Sequence, residues 1–531
     1  MSKQKTFYIT TPIYYLNAKP HLGHCYCTVN ADIIARFMRL DNYDVKFLTG
    51  TDEHGQKVQQ AAEKAGKNPQ EFVDELAAEF EDLAKFMNCS HDDFIRTTQE
   101  RHKKVVQKVW DLLLDKGYIY KGKYSGWYCV RGEAFYTDKE LIDGKSPYGE
   151  EVEWCEEENY FFKLSAFQDK LLKFYEKNPE FIQPASKRNE VLSFVKGGLQ
   201  DLSISRSTFD WGIKVPNDEK HVIYVWLDAL TNYISALDYP NDKFEKYWNQ
   251  TTNSPIHFVG KEISRFHCVY WPAFLMGAEI KLPKKVFVHG WWWATDGQKM
   301  SKSIGNVVAP KDEIENLKNL GVPEDIAVDM LRYFLASEMT FGNDGNFSRE
   351  RFIERMNTEL VNNIGNLSQR VLSMVYKNCD NKITDCELKE EDKEFLGQFK
   401  CLDKLRDLIS KDLKIKEVSE TIISLSSRTN EYLEQQAPWN LKKTDLERMK
   451  VILYVAAEAV RQIAILLQPF CPVSANKILD QLNIDKNKRT FENLESNYYF
   501  DIYSKDKSLF GEFNIGCCEK PVGVFPRVVV G

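Results

Sequence analysis

The first third of the chain alternates between two hydrophobic periods. Phe7-Tyr8-Ile9-Thr10 is a compact β-type run, and a polar turn with Pro12, Asn17 and Pro20 follows it. Apolar positions at helical spacing then extend from Leu22 to Leu40. Val45 to Thr49 reads as a second strand ending in Gly50-Thr51-Asp52. Further helices are predicted from Pro69 to Met87 and from Glu100 to Lys116, the latter stopped by Gly117. This rhythm predicts an α/β fold with a parallel sheet wrapped by helices.

From Tyr118 the texture changes. Gly122, Gly126, Gly132, Gly144, Pro147 and Gly149 break up short aromatic segments such as Tyr124 to Cys129, and an acidic stretch runs from Glu150 to Glu158. An insertion with its own small fold is expected there. The buried-strand pattern returns at Val222-Ile223-Tyr224-Val225-Trp226 and recurs at Ile256 to Val259 and Val286 to Val288, where the sheet is expected to resume. Beyond Phe347 nearly everything has helical period: Arg349 to Tyr376, Lys393 to Cys401 and onward, Glu417 to Gln435, and Asp445 to Leu467. Strand-like runs are nearly absent until the Val-rich tail. The expected organisation is 1–117 and 222–345 as two halves of one sheet domain, 118–221 as the insertion, and 346–531 as an α-helical domain.

Composition narrows the class. A chain of 531 residues exceeds one ordinary core, and 43% hydrophobic with 28% charged residues marks a folded globular protein. No apolar run approaches the ~20 residues of a membrane span. Met1 to Lys5 leads straight into the first strand without an apolar signal core or an Arg-rich presequence, so a cytoplasmic location is expected. From residue 346 onward, 28 basic and 28 acidic residues balance, which leaves the whole net charge of −7 in the first 345. That balance excludes a generic nucleic-acid coat; any RNA contact has to be local and shape-specific. The 12 cysteines are scattered, with close pairs only at Cys25/Cys27 and Cys517/Cys518. This is neither a disulfide framework nor a paired-cysteine zinc site, and it suits a reducing compartment. Cys25 and Cys27, inside the first helix, are expected to be buried as small apolar groups.

Two stretches carry candidate chemistry. His21-Leu22-Gly23-His24 stands where the first strand hands over to a helix, whose N-terminus offers unpaired N–H groups and a positive dipole end to phosphate. Gly23 admits a ligand close to the backbone, and the two histidines, three apart, share one side of the first turn. An isolated pair of this kind more often caps a helix or packs. Lys299-Met300-Ser301-Lys302-Ser303 lies in a polar stretch opened by Asp296-Gly297-Gln298 and closed by Gly305. Two lysines on such a loop can neutralise charge on a departing pyrophosphate. A Lys-Ser loop alone is usually a solvated turn.

In combination and in this order, HLGH and KMSKS resemble the double motif of class I aminoacyl-tRNA synthetases. The flanking segments are similar to the methionine-specific members: Thr11 to Tyr15, Gly50 to Gly55, Tyr224 to Tyr233, and Gly260 to His267. The resemblance covers nearly the whole chain. It implies a Rossmann-type catalytic domain, a connective-peptide insertion and an α-helical anticodon-binding domain. It implies ATP with Mg2+ and L-methionine as substrates and tRNA(Met) as partner. By the same resemblance, His21, His24, Lys299 and Lys302 act on the phosphates, with Gly23, Gly260 and Glu262 around the nucleoside. Ile13, Tyr15, Trp226, Ala229, Leu230, Tyr233, Ile263 and His267 match the methionine pocket, and Asp52 matches the carboxylate that holds the ammonium group. An apolar slot with aromatic edges suits a thioether, although Trp226 and Ile263 also read as ordinary core. The small insertion leaves no room for the large editing domain of the leucine, isoleucine and valine enzymes.

Asn366, Arg370, Pro438 and Trp439 match the family's anticodon-reading positions, a set able to stack unpaired bases and read their edges. In the insertion Cys129 is kept, while the partner positions for a zinc knuckle hold Gly132 and the stretch Ser146 to Gly149. A single thiol does not make a tetrahedral site, so no structural zinc is expected, as in the short zinc-free forms. The absence of a C-terminal dimerisation extension suggests a monomer. The rival readings are a leucine- or cysteine-type class I synthetase, a small-molecule nucleotidyltransferase, and a catalytically silent tRNA-binding relative. Trp291-Trp292-Trp293 receives no individual assignment.

Overall fold

The computed structural model describes residues 4–16, 19–130, 134–136, 138–147, 149–251, 254–294, 308–340, 342–379, 382–383, 387–495, 513–514 and 521–529. The chain forms two compact units, one drawn from 6–20 and 45–290, the other from 21–44 and the described residues after 290.

The first unit is built on a seven-stranded sheet. Its strands, numbered in chain order, are β1 (Thr6–Thr10), β2 (Tyr14–Tyr15), β3 (Asp44–Asp52), β4 (Asp93–Arg96), β8 (Ile182–Gln183), β13 (Ile256–Gly260) and β14 (Lys285–His289), ordered β2-β3-β1-β13-β14-β8 with β4 also on β3. β1 pairs parallel with β13, β13 with β14, and β14 with β8, while β2 and β4 pair parallel with β3. Every residue of β13 and β14 is buried, as expected for strands covered on both faces. In register, Gly260 lies beside His289, so the carboxyl ends of these strands open on one edge, where α/β sheets take ligands.

The expected insertion contains a four-stranded antiparallel sheet, β6-β5-β7-β9, from β5 (Ile119–Cys129), β6 (Ala134–Tyr136), β7 (Glu153–Phe162) and β9 (Leu202–Ser203). It also supplies β8 to the main sheet. The run Val222 to Trp226 differs from its expectation. β12 (Asp218–Ile223) belongs to a separate antiparallel sheet with β10 (Ser205–Arg206) and β11 (Lys214–Val215), and Val225–Leu230 is a helix. The amides of Leu227 and Asp228 both donate to the Tyr224 carbonyl, which closes that first turn. A short apolar run buried along most of its length has no period to separate strand from helix.

In the second unit the helix Leu22–Leu40 packs on the helix Glu324–Ser337. Asp32 and Arg332 meet there at 2.7 Å, both fully buried. Asp32 also accepts from Arg36 Nε at 2.7 Å, and Arg332 donates to the carbonyls of Pro469 and Phe470. Trp292 is buried among Tyr26, Phe334 and Phe347, in β15 (Trp292–Trp293), which pairs parallel with β16 (Gly345–Asn346). Cys25 and Cys27 are buried in the first helix. The centre of the helical portion is Leu446–Leu467, against which Ile415–Gln436, Asn366–Asn378 and Pro472–Gln481 pack. The Val-rich tail is not a strand across 521–529. Phe525 and Val528 are buried instead, and the Asn357 side chain both donates to and accepts from the Val528 backbone. No helix among the described residues is long and apolar enough to cross a membrane.

Candidate active site and anticodon-type platform

The HLGH segment forms a reciprocal cap. His21 is the N-cap of Leu22–Leu40; its Nδ1 accepts from the Gly23 amide at 3.1 Å, and His24 Nδ1 accepts from the His21 amide at 3.1 Å. This is the capping-box arrangement with imidazoles in both places. Because each Nδ1 is an acceptor, the ring proton of each neutral histidine sits on Nε2, which makes Nε2–H a donor. The rings lie 3.9 Å apart. A Cβ at Gly23 would stand 3.0 Å from His21 Cε1, so a larger residue there would crowd the folded-back ring. Capping uses Nδ1 of each ring and leaves the donor role to Nε2.

The nine residues expected around methionine all fall within the first unit. Ile13, Tyr15, Trp226 and Ile263 are partly buried against the hydrophobic cluster that includes Leu230, Tyr233 and Phe266. Ala229, Tyr233, His267 and Asp52 are buried. Trp226 stacks on Phe266 at 3.7 Å and meets the His267 ring edge-on at 6.1 Å. His267 lies in a π-helical turn, Phe266–Tyr270, a distortion common at functional sites. Its Nδ1 is 2.9 Å from the Ile263 carbonyl, so Nδ1 carries the proton; Nε2 then accepts from Tyr233 O–H at 2.6 Å. Burial lowers the His267 pKa to about 4, against the backbone bond to Ile263, and keeps the imidazole neutral. Asp52 ends β3 in register with Tyr15, and its carbonyl accepts from the Leu16 amide at 3.1 Å.

Gly260 ends β13, and Glu262 follows in an exposed turn. A Cβ on Gly260 would stand 2.5 Å from Glu262 Oε1, so the carboxylate is folded over the glycine and would have to swing away from any larger residue. Lys299 and Lys302, with the rest of the KMSKS segment, lie outside the described residues.

In the second unit, the π-helical stretch Met356–Gly365 runs into the helix Asn366–Asn378, which places Asn366 and Arg370 one turn apart. The Arg370 guanidinium sits over the Trp439 ring at 5.3 Å, and its Nη1 pairs with Glu434 at 2.9 Å. Trp439 is 43% exposed, while Pro438 is buried at the first turn of its short helix. Asn366 is exposed.

Sequence reasoning passed over several neighbours. His257 bonds Thr10 Oγ1 at 2.9 Å through Nδ1 and accepts from Trp271 at 3.3 Å, stacked 4.0 Å from Tyr233. Burial, then the proximity of His267, drives its pKa well below the ordinary range. His289 is buried beside Gly260 in register, and burial lowers its pKa. Cys129 is buried and its thiol lies 3.2 Å from Glu150 Oε2. No group of three metal-ligating side chains occurs among the described residues.

Comparison with known proteins agrees along the length of the chain. Residues 7–154 and 139–372 match the family model for class I tRNA synthetases (M), and residues 379–498 match the anticodon binding domain of methionyl tRNA ligase. The methionine–tRNA ligase of Rickettsia felis is 53% identical over 502 residues, covering 93% of this chain and 95% of the relative. That of Rhizobium meliloti is 51% identical over 504 residues, again covering 93% and 95%. The structure of Mycobacterium tuberculosis methionyl-tRNA synthetase in complex with methionyl-adenylate aligns with a TM-score of 0.90 at 43% identity, covering 99% of this chain and 100% of that one. On these grounds the chain belongs to the methionine–tRNA ligases, the methionyl branch of the class I aminoacyl-tRNA synthetases.

Proposed function

We propose that this methionine–tRNA ligase works through the residues described above, in two steps. A carboxylate oxygen of L-methionine attacks the α-phosphorus of Mg–ATP, the bond to pyrophosphate breaks, and methionyl-adenylate forms. A ribose hydroxyl of the terminal adenosine of tRNA(Met) then attacks the methionyl carbonyl, and AMP leaves. No covalent enzyme intermediate is needed, because positioning and charge stabilisation suffice.

His21 and His24 donate Nε2–H bonds to the ATP phosphates, and Lys299 and Lys302 neutralise the departing pyrophosphate. Gly260 and Glu262 receive the nucleoside. Asp52 takes the methionine ammonium group, while Ile13, Tyr15, Trp226, Ala229, Leu230 and Ile263 enclose the side chain. Asn366, Arg370 and Trp439 read the anticodon, with Pro438 setting the tryptophan's turn.

The observation that carries the specificity is the Tyr233–His267–Ile263 relay. It uses the hydroxyl proton and both ring nitrogens internally, so Tyr233 and His267 offer a thioether polarizable surface rather than a spare donor. A polar or charged side chain gains nothing there in return for its lost hydration. The test is charging of tRNA(Met) by the purified chain with Mg–ATP and methionine. Tyr233→Phe leaves His267 Nε2 unpaired and is expected to raise the methionine KM by about 10-fold with the ATP KM unchanged. Failure to charge tRNA(Met) would end this reading; an unchanged methionine KM would remove the relay from it.

A further inference from the structure

The first unit contains a buried polar chain that the two-step chemistry does not use. Asp228 is fully buried in the helix Val225–Leu230. Its two carboxylate oxygens are held separately, Oδ2 by His54 Nδ1 at 2.7 Å and Oδ1 by His102 Nε2 at 2.7 Å. His102 Nδ1 in turn lies 2.7 Å from Ser235 Oγ. Burial pushes the Asp228 carboxyl up, but the charge and hydrogen bonds of the two histidines outweigh it and leave it below the usual carboxylate range. An ionised carboxylate in this setting costs several kcal/mol unless paired on both sides, as it is here.

The placement of these partners gives the chain its meaning. His54 stands two residues after Asp52, and Asp228 stands two residues after Trp226 and next to Ala229 and Leu230. The single bond from His54 to Asp228 therefore ties the segment carrying the ammonium-binding carboxylate to the helix that walls the side-chain pocket. The rest of the 53–55 segment is anchored too. Glu53 accepts from Thr51 at 2.7 Å, from Thr98 at 2.5 Å, and from Arg96 Nε and Nη2 at 2.6 and 3.0 Å. Its carbonyl accepts from Trp211 Nε1 at 2.6 Å, and the Gly55 amide donates to the Trp211 carbonyl at 3.0 Å. Those bonds hold the segment to β4 and to Trp211. Among the described residues, the hydrogen bond that joins it to the pocket helix is His54–Asp228.

We infer that Asp228 is a positioning residue, which through His54 fixes the distance between the ammonium site and the thioether pocket. This rests on the reading of Asp52 given above. A ligand that uses both sites feels that distance; a ligand that uses only the side-chain pocket does not.

The test compares methionine with 4-(methylthio)butanoate, which keeps the thioether and carboxylate and lacks the ammonium group. In ATP–pyrophosphate exchange, Asp228→Asn is expected to raise the methionine KM by ~10- to 100-fold, the scale of a 1 Å misplacement, and to change kcat and the inhibition constant of the analogue by less than ~3-fold. His54→Leu should behave alike. His54→Asn, whose amide nitrogen can stand where Nδ1 stands, should keep a near-normal methionine KM; this pair serves if Asp228→Asn does not fold. Equal weakening of methionine and analogue in Asp228→Asn and His54→Leu would mean a purely structural brace and would overturn the inference, as would no weakening. Asp52→Asn is the reference. If it weakens methionine selectively while Asp228→Asn does not, the inference alone falls; if it is not selective, the reading of Asp52 falls and takes the inference with it.

Discussion

Arg370 and Trp439 form a stacked pair, guanidinium over indole at 5.3 Å, although they come from helices about 70 residues apart in sequence. The contact holds the indole in one orientation, so a base that stacks on it meets a face already set. Trp439→Ala should leave ATP–pyrophosphate exchange at the parent rate and lower kcat/KM for tRNA(Met) charging by ~10- to 100-fold, the value of one lost base stack. Parallel loss of exchange and charging would remove Trp439 from anticodon reading.

The two nitrogens of His21 allow its structural and chemical roles to be separated. Asparagine can accept from the Gly23 amide as Nδ1 does, but it lacks the Nε2–H donor. His21→Asn is therefore expected to keep the parent melting temperature and lower the exchange kcat by ~100-fold. His21→Ala should also lose about 1 kcal/mol of stability with the cap. An active His21→Asn enzyme would confine His21 to capping.

His267 makes stability depend on acid. Its folded-state pKa of about 4 lies below the ordinary 6.5, so between these values the unfolded chain binds a proton that the folded chain refuses. Stability is fully present above pH 6.5 and is lost as pH falls toward 4, in total by about 3 kcal/mol from this group. His257, shifted the same way, adds to the loss. The stability advantage of the parent over His267→Leu, measured by urea unfolding, should therefore shrink by about 3 kcal/mol between pH 7 and 4. A pH-independent difference would contradict the neutral, buried imidazole.

The Asp32–Arg332 pair is fully buried, so removing Arg332 leaves the buried Asp32 carboxylate with the half-buried Arg36 as its remaining counter-charge. Arg332→Met should cost about 3–5 kcal/mol in urea unfolding, and replacing Asp32 and Arg332 together by apolar residues should cost less than the single change. A single-variant cost below ~1 kcal/mol would show that water reaches the site.

How much of this was legible in the sequence depends on the distance over which each feature is written. The helix Leu22–Leu40 was readable nearly to its ends, because its apolar period is contiguous. β1, β13 and β14 were readable for the same reason. Val222 to Trp226 was not: a strand and a helix share one buried run there, and neither leaves a period. The resemblance supplied the residues expected around methionine. The tautomers of His21, His24 and His267 required partners that the fold alone brings within 3.1 Å. The His54–Asp228–His102 chain joins positions up to 174 residues apart, with no spacing to announce it. Trp292 proved to be core, which no local pattern distinguishes from a ligand contact.

The central claim is that this chain activates methionine and no other amino acid as its substrate. ATP–pyrophosphate exchange measured with each of the twenty amino acids tests it most directly. Methionine alone should drive exchange at a substantial rate. Faster exchange with leucine or cysteine, or none with methionine, would contradict the account.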